Sequence, residues 1–347
     1  MSEEKTNALQ APEGMQTRPA DWEDIPEMTR VANLDAEETL GQADTSENEF
    51  KVDWESAEFD HKTDSQLLLD AEGEMLGFAQ VFNEQEPPTR PYAWMRMRPG
   101  LHDHPAGDFL LDWAEQRSRR NLDQVDEELR VAMSAHNVSG YEPVQRLFER
   151  HGMQMARRSY QMRIALDQPM ETPQLPEGLR FTGFDPEQDF EAFFRASEEG
   201  FADHFGHVDE DFEVAFPRWK HYVSNDEGYD PELFFFVKEG DQIAGTARCR
   251  KMSWEEKDMG WINELSVLRP WRRKGVGKAL LLHCFQAFEQ RGKRSVGLGV
   301  DAQSLTGATK LYEKAGMHVH RAYDRYELLL RDGVEIIKTE LDPEEQA

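Results

Sequence analysis

Cysteine is scarce in this chain. There are two in 347 residues, Cys249 and Cys284, far apart and without CxxC spacing. A disulfide framework or a zinc centre is therefore not expected. Long apolar runs are also missing: no stretch approaches the ~20 residues that span a bilayer. The start, Met1-Ser2-Glu3-Glu4-Lys5, is too acidic and polar for a signal or transit peptide. A cytoplasmic location is expected. Positive charge is short as well. Forty Lys and Arg face 68 Asp and Glu, for a net charge of −28. Such a balance argues against nucleic acid and anionic membranes as partners, because both select a basic face. An acidic, Arg-over-Lys surface suits high salt, where screening removes self-repulsion. Apolar residues make up 38%, yet they cluster into periodic segments that can bury a core.

The length suggests two domains. Residues 167–178 carry three prolines, two glutamates and a closing glycine, and they read as a linker. Its two sides resemble each other. Leu147-Phe148-Glu149-Arg150-His151-Gly152-Met153 matches Leu311-Tyr312-Glu313-Lys314-Ala315-Gly316-Met317. The same offset of 164 residues relates Asp21 to Asp185, and two weaker matches lie between in the same order. A tandem duplication follows. The expected division is a disordered N-terminus at 1–14, a first domain at 15–166, the linker, a second domain at 179–332 and a tail at 333–347.

Within the second half, strands are expected at 179–183, 232–239, 242–252, 259–268 and 295–301, with closing strands at 317–321 and 326–330. Helices are expected at 185–200, 209–223, 276–291 and 306–315. Strand, glycine turn, helix, strand, helix is an α/β pattern, a mixed sheet with a parallel pair at its centre.

The informative stretch is Arg272-Arg273-Lys274-Gly275-Val276-Gly277, between a strand and a helix. Glycines there let the backbone turn tightly and expose the N–H groups of the first helical turn, which suit a phosphate or pyrophosphate. Arg272, Arg273, Lys274 and Lys278 concentrate positive charge in an acidic chain. The spacing of a triphosphatase loop is absent, and Leu280 stands where a dinucleotide fingerprint needs its third glycine.

From Glu264 to Leu281 the chain closely resembles the acetyl-CoA motif of the GNAT superfamily of N-acetyltransferases. Arg272, Gly275 and Gly277 match, and Val267 and Pro270 stand one residue wider than usual. Residues 299–317, with Val300, Asp301, Ala308, Leu311, Tyr312 and Gly316, are similar to the family's second motif. Ser304 replaces the usual Asn, and Met317 the usual Phe. The resemblance implies two tandem GNAT-like domains, as in the mycothiol-synthase-like group, with acetyl-CoA as acyl-donor cosubstrate and no metal.

It also implies roles. The main chain of Leu265 and Val267 would pair with the pantetheine arm. Arg272, Arg273, Lys274, Gly275, Val276, Gly277 and Lys278 would hold the pyrophosphate, and Ser304 would bond the cofactor. Tyr312 would protonate the leaving thiolate. Glu264 would act as base or water relay, with Asn263 the alternative polar neighbour. His204, His207 and Asp209 either shape the acceptor site or are exposed loop residues.

The first half has the outline without the chemistry. Its loop, residues 98–107, lacks the R-x-x-G-x-G spacing. Pro105 removes a donor, Asp103 adds a negative charge, and Phe148 stands at the tyrosine position. A degenerate, noncatalytic copy is expected. His102 and His104 are a weak metal signal. The expected reaction is acetylation of a small-molecule primary amine by direct transfer in a ternary complex, by a monomer or homodimer. The alternatives are protein or peptide N-acetylation and a non-enzymatic acyl-CoA sensor.

Overall fold

The computed structural model describes residues 9–83, 85–305 and 307–339. The expectations for 1–8, for 340–347 and for Thr306 lie outside the described residues. The chain forms two compact units. One runs to Ala156 and takes back Asp324–Glu335; the other is Arg157–Tyr323 with the chain from Ile336 onward. The linker at 167–178 thus falls inside the second unit. Its Met170 and Leu175 pack on that unit's core, together with Leu166 just before it.

The first unit contains β1 (Gln16–Arg18), α1 (Ile25–Leu40), α2 (Glu47–Trp54), β2 (Ser65–Leu69), β3 (Met75–Phe82), β4 (Tyr92–Met97), α3 (Pro105–Arg119), β5 (Val131–Val138) and α4 (Glu142–Arg150). Its strands lie in chain order, antiparallel except for the β4–β5 pair. Leu9 packs on its core, so order begins inside the segment expected to be disordered. Of the segment expected as a tail, the described residues 333–339 are built in rather than trailing. Val334 bridges Leu129 in this unit, and Ile337 is buried in the other.

β6 (Gln154–Ala165) leads into the second unit, which continues with β7 (Leu179–Gly183), α5 (Phe190–Phe201), α6 (Phe212–Asn225), β8 (Phe234–Glu239), β9 (Gln242–Arg250), β10 (Met259–Val267), α7 (Val276–Gln290), β11 (Ser295–Asp301), α8 (Ala308–Lys314) and the start of β12 (His318–Arg331), whose residues from Asp324 onward belong to the first unit. Its sheet runs β7-β8-β9-β10-β11-β6. Only β10 and β11 are parallel; β6 joins β11 antiparallel, from Ser159↔Asp301 to Ala165↔Ser295. The α/β class and the central parallel pair are as expected.

The differences have local causes. α5 starts at Phe190 because Asp185 forms a turn first: its carboxylate accepts from Glu187 N–H at 2.9 Å, and its N–H donates to Asp189 at 2.8 Å. β12 is one strand of 14 residues, not two. No Gly or Pro interrupts residues 318–331, and Asp324 is buried rather than a turn residue. α7 carries the core. Val276, Ala279, Leu280, Leu281, Cys284, Phe285 and Phe288 repeat at helical spacing and are buried. Each such Leu or Phe contributes about 1.5–3 kcal/mol. Beneath α7, Gly260 of β10 leaves room for the Phe288 ring, which a Cβ there would strike. Helix and strand therefore pack closely where the cofactor strand begins.

Candidate active site

β10 and β11 pair only from Met259↔Ser295 to Ile262↔Leu298. Beyond that point they part. On the other edge of β10 the register steps from Ile262↔Cys249 to Glu264↔Arg248, which leaves Asn263 as the extra residue of a β-bulge. The bulge turns the strand as its neighbour departs. A cavity of about 140 Å³ opens in the gap, lined by Asn263, Leu265, Gly299, Ser304 and Tyr312, with Phe201 and His204 also in its wall.

Two polar groups at this cavity await a partner. Asn263 Oδ1 is buried and accepts no hydrogen bond among the described residues; leaving it so costs about 1–3 kcal/mol. The Tyr312 hydroxyl likewise has no partner among the described residues. Tyr312 is 8% exposed, and burial pushes its phenol up to about 12. It stays protonated at any physiological pH. His204 is also neutral there. Burial, and then the Arg272 charge, push its imidazole down to about 4.

Glu264 faces the helices. Its Oε1 accepts from Arg248 at 2.7 Å and from Trp219 Nε1 at 3.3 Å; its Oε2 accepts from Ser197 at 2.8 Å. One lone pair of Oε2 is left over. Glu198, on the neighbouring turn of α5, has its carboxyl raised by burial and by the charges of Glu264 and Glu210. Nothing in its sequence setting announced it. His207 bonds Asp209 at 3.2 Å, and Asp209 is exposed.

The glycine loop divides its basic residues between two tasks. Arg272 turns inward: its guanidinium donates to Asp203 at 2.6 Å, to Val267 O at 2.9 Å and to Gly200 O at 3.1 Å. Lys278 is on the surface, paired with Glu171 at 2.7 Å. Arg273 and Lys274 are exposed and make no hydrogen bond or ion pair among the described residues. Gly275 caps α7 with φ of +89°, which only glycine adopts without strain, and Arg273 sits at φ of +59°. The first turn of α7 has no side-chain cap. Its N–H groups remain for an anion. Gly277 serves packing, since a Cβ there would come within 3.3 Å of Leu311. Ser304 Oγ accepts from Ala308 N at 3.3 Å, at the start of α8. The exposed cations, the uncapped helix start, the splayed strand and the unpartnered Asn263 and Tyr312 groups fit a phosphate-bearing thioester.

The first unit's loop is closed by its own side chains. Gly100 N–H donates to Glu38 at 3.2 Å, His104 caps α3 through Ala106 N at 3.2 Å, and His102 pairs with buried Asp35 at 3.0 Å. Phe148 is buried at the tyrosine position and has no hydroxyl.

A splayed parallel pair with a glycine-opened helix beneath it is the architecture of an enzyme that takes acyl groups from coenzyme A thioesters. Residues 192–317 match the Acetyltransferase (GNAT) family. A mycothiol acetyltransferase of Thermobispora bispora is 30% identical over 253 residues, covering 72% of this chain and 79% of that one. A GCN5-related N-acetyltransferase from Sphaerobacter thermophilus superposes with a TM-score of 0.76 at 30% identity, covering 94% and 99% of the two chains. A tandem GNAT protein of the clavulanic acid biosynthesis pathway shares the fold, with a TM-score of 0.68 at 11% identity over 92% and 100%. The chain belongs to the GNAT family of acetyltransferases, in its tandem form. It is an acyltransferase with an acyl-CoA donor. No helix among the described residues is long and apolar enough to cross a membrane.

Proposed function

We propose that the second unit transfers an acetyl group from acetyl-CoA to a primary amine of a small molecule, directly and within a ternary complex. The observation that carries this reading is the Tyr312 hydroxyl without a protein partner among the described residues, at a cavity between splayed strands, in the unit whose glycine loop opens an uncapped helix. The relatives named mycothiol acetyltransferase support a small acceptor.

Bound acetyl-CoA supplies an activated carbonyl with a thiolate leaving group. The rest falls to the chain. The main chain of Leu265 and Val267 lines the pantetheine path, where β10 has left β11. Arg273, Lys274 and the N–H groups of Gly275, Val276, Gly277 and Lys278 hold the pyrophosphate; Lys278 exchanges Glu171 for phosphate. Arg272 acts from behind, by fixing the loop, and Ser304 acts by starting α8. As the amine nitrogen bonds the carbonyl carbon and the C–S bond breaks, the ammonium proton leaves toward the open lone pair of Glu264 Oε2, directly or through water. A phenol near 12 is a weaker acid than a thiol near ~8.5. Tyr312 therefore steadies the departing sulfur as an O–H donor, without giving its proton up outright. The first unit, with its loop closed and Phe148 at the tyrosine position, is a noncatalytic copy.

The test is turnover of acetyl-CoA with panels of small primary amines and of peptides, read by mass spectrometry, for wild type and Tyr312→Phe. Acetylated small amines are expected. Tyr312→Phe should lower kcat about 10²-fold and leave KM for acetyl-CoA within about threefold. Acetylation of peptides alone would replace the small-molecule reading. Undiminished turnover in Tyr312→Phe would remove Tyr312 from the chemistry.

A further inference from the structure

Asp203 lies two residues past the end of α5 and is fully buried. A buried carboxylate is tolerated only when it is paired, and this one takes two guanidiniums. Arg269 donates both Nε, at 3.1 Å, and Nη2; Arg272 donates Nη1 at 2.6 Å. The hydrogen bonds from Arg269, then those from Arg272, hold its carboxyl well below the usual range. The two arginines bracket Pro270-Trp271 at the entry to the glycine loop. Without an anion between them, two like charges would face each other across one turn.

The pair reaches further. Arg272 also bonds Val267 O, at the end of β10, and Gly200 O, in the last turn of α5. One guanidinium thereby ties three elements: the cofactor strand, the glycine loop and the helix end whose Phe201 lines the cavity. On the chain, Asp203 lies between Phe201, two residues before it, and His204, directly after it, both of which line the cavity, and Arg272 is followed directly by Arg273, Lys274 and Gly275. The His204 imidazole feels the Arg272 charge as well.

We propose that Asp203 is a positioning residue that couples the cofactor loop to the cavity wall formed by Phe201, His204 and Phe205, so that filling the loop orders residues 199–208. This rests on the loop being the acyl-CoA site. Asp203 is fully buried and Arg272 is mostly so, and a pair held there transmits displacement between the elements it joins, whereas a fully exposed, screened pair would not. Donor binding then prepares the acceptor side before an acceptor arrives.

Hydrogen exchange with free CoA as the probe tests the coupling without a known acceptor. In wild type, saturating CoA should protect both 268–278 and 199–208. In Asp203→Asn, CoA affinity by calorimetry should fall about tenfold. At saturation the loop should still be protected, and the protection of 199–208 lost. Arg272→Lys keeps the charge but cannot span three acceptors; it should give the same uncoupling with a smaller affinity loss, and it serves should Asp203→Asn fail to fold. Protection of both segments in the variants, or a loss of melting temperature with CoA affinity and coupling intact, would overturn the proposal. CoA protection of the wild-type loop alone would also overturn it while leaving the acyl-CoA reading standing. No CoA effect anywhere in wild type would overturn both.

Discussion

His204 shows what burial does to a single side chain. Its imidazole titrates near 4 in the fold and near ~6.5 when unfolded. Between those values the unfolded chain binds the extra proton, so stability rises with pH across this window. The contribution of neutral His204 is complete above about pH 6.5 and declines as pH falls toward 4. By pH 5 the loss should be about 1–2 kcal/mol. Melting curves at pH 7.5 and 5 check this, with His204→Gln as the comparison. The variant should lose less between the two pH values, and parallel losses would show that His204 is not protonated on unfolding. Tyr312 has the opposite character. Its phenol, raised to about 12 by burial, contributes no pH dependence in that range. Tyr312 was legible in the sequence because the helix motif around it names the position. Asp203 was not, because nothing in Phe201-Ala202-Asp203-His204 says that one carboxylate will be buried under two arginines. Nor does a run of consecutive cations reveal which one turns inward; the structure turns Arg272 in and leaves Arg273 and Lys274 out.

The elements best read in advance are those that glycines punctuate. β11 runs over the expected residues, and α7 opens at Gly275 and ends one residue early. The β8–β9 hairpin closes at Glu239↔Gln242 around Gly240, with φ of +58°. Less was legible where tertiary context decides. The bulge at Asn263 sits where the register with β9 shifts and pairing with β11 has ended, both set by strands distant in sequence. The membership of residues 324–335 in the first unit depends on which sheet offers an edge, and periodicity is silent on both. Gly275 permits a test at this scale. Its φ of +89° forbids a side chain without strain, yet a Cβ there would meet nothing within 4 Å. Gly275→Ala should therefore cost about 1–2 kcal/mol from backbone strain alone and weaken CoA binding several-fold by displacing the first N–H groups of α7. Gly183→Ala is the control: its Cβ would also meet nothing within 4 Å, no positive φ opposes it, and it does not line the cavity. A melting temperature unchanged in Gly275→Ala would mean that the loop does not hold that conformation in solution.

At the scale of the whole molecule, charge dominates. A net −28 repels itself at all separations that solvent leaves unscreened. Against this stand many exposed ion pairs, such as Arg195 with Glu191 and Lys51 with Glu47, each worth about 0–1 kcal/mol and weakened by salt. The two effects oppose each other, and their ranges separate them. Pairs act at contact, whereas the excess of carboxylates acts across the surface. The Debye length shrinks from about 10 Å at 0.1 M to about 3 Å at 1 M, so the long-range repulsion is removed first. Pairs that are largely buried, such as Asp203 with Arg272, are screened much less. The melting temperature should therefore climb with sodium chloride, by about 5 °C between 0.1 and 1 M, or roughly 2 kcal/mol for units of this size. Chloride is the salt to use, because sulfate would also strengthen apolar burial and mimic the effect. A flat response would mean that the ion pairs already balance the acidic excess, and the composition would then carry no sign of adaptation to salt.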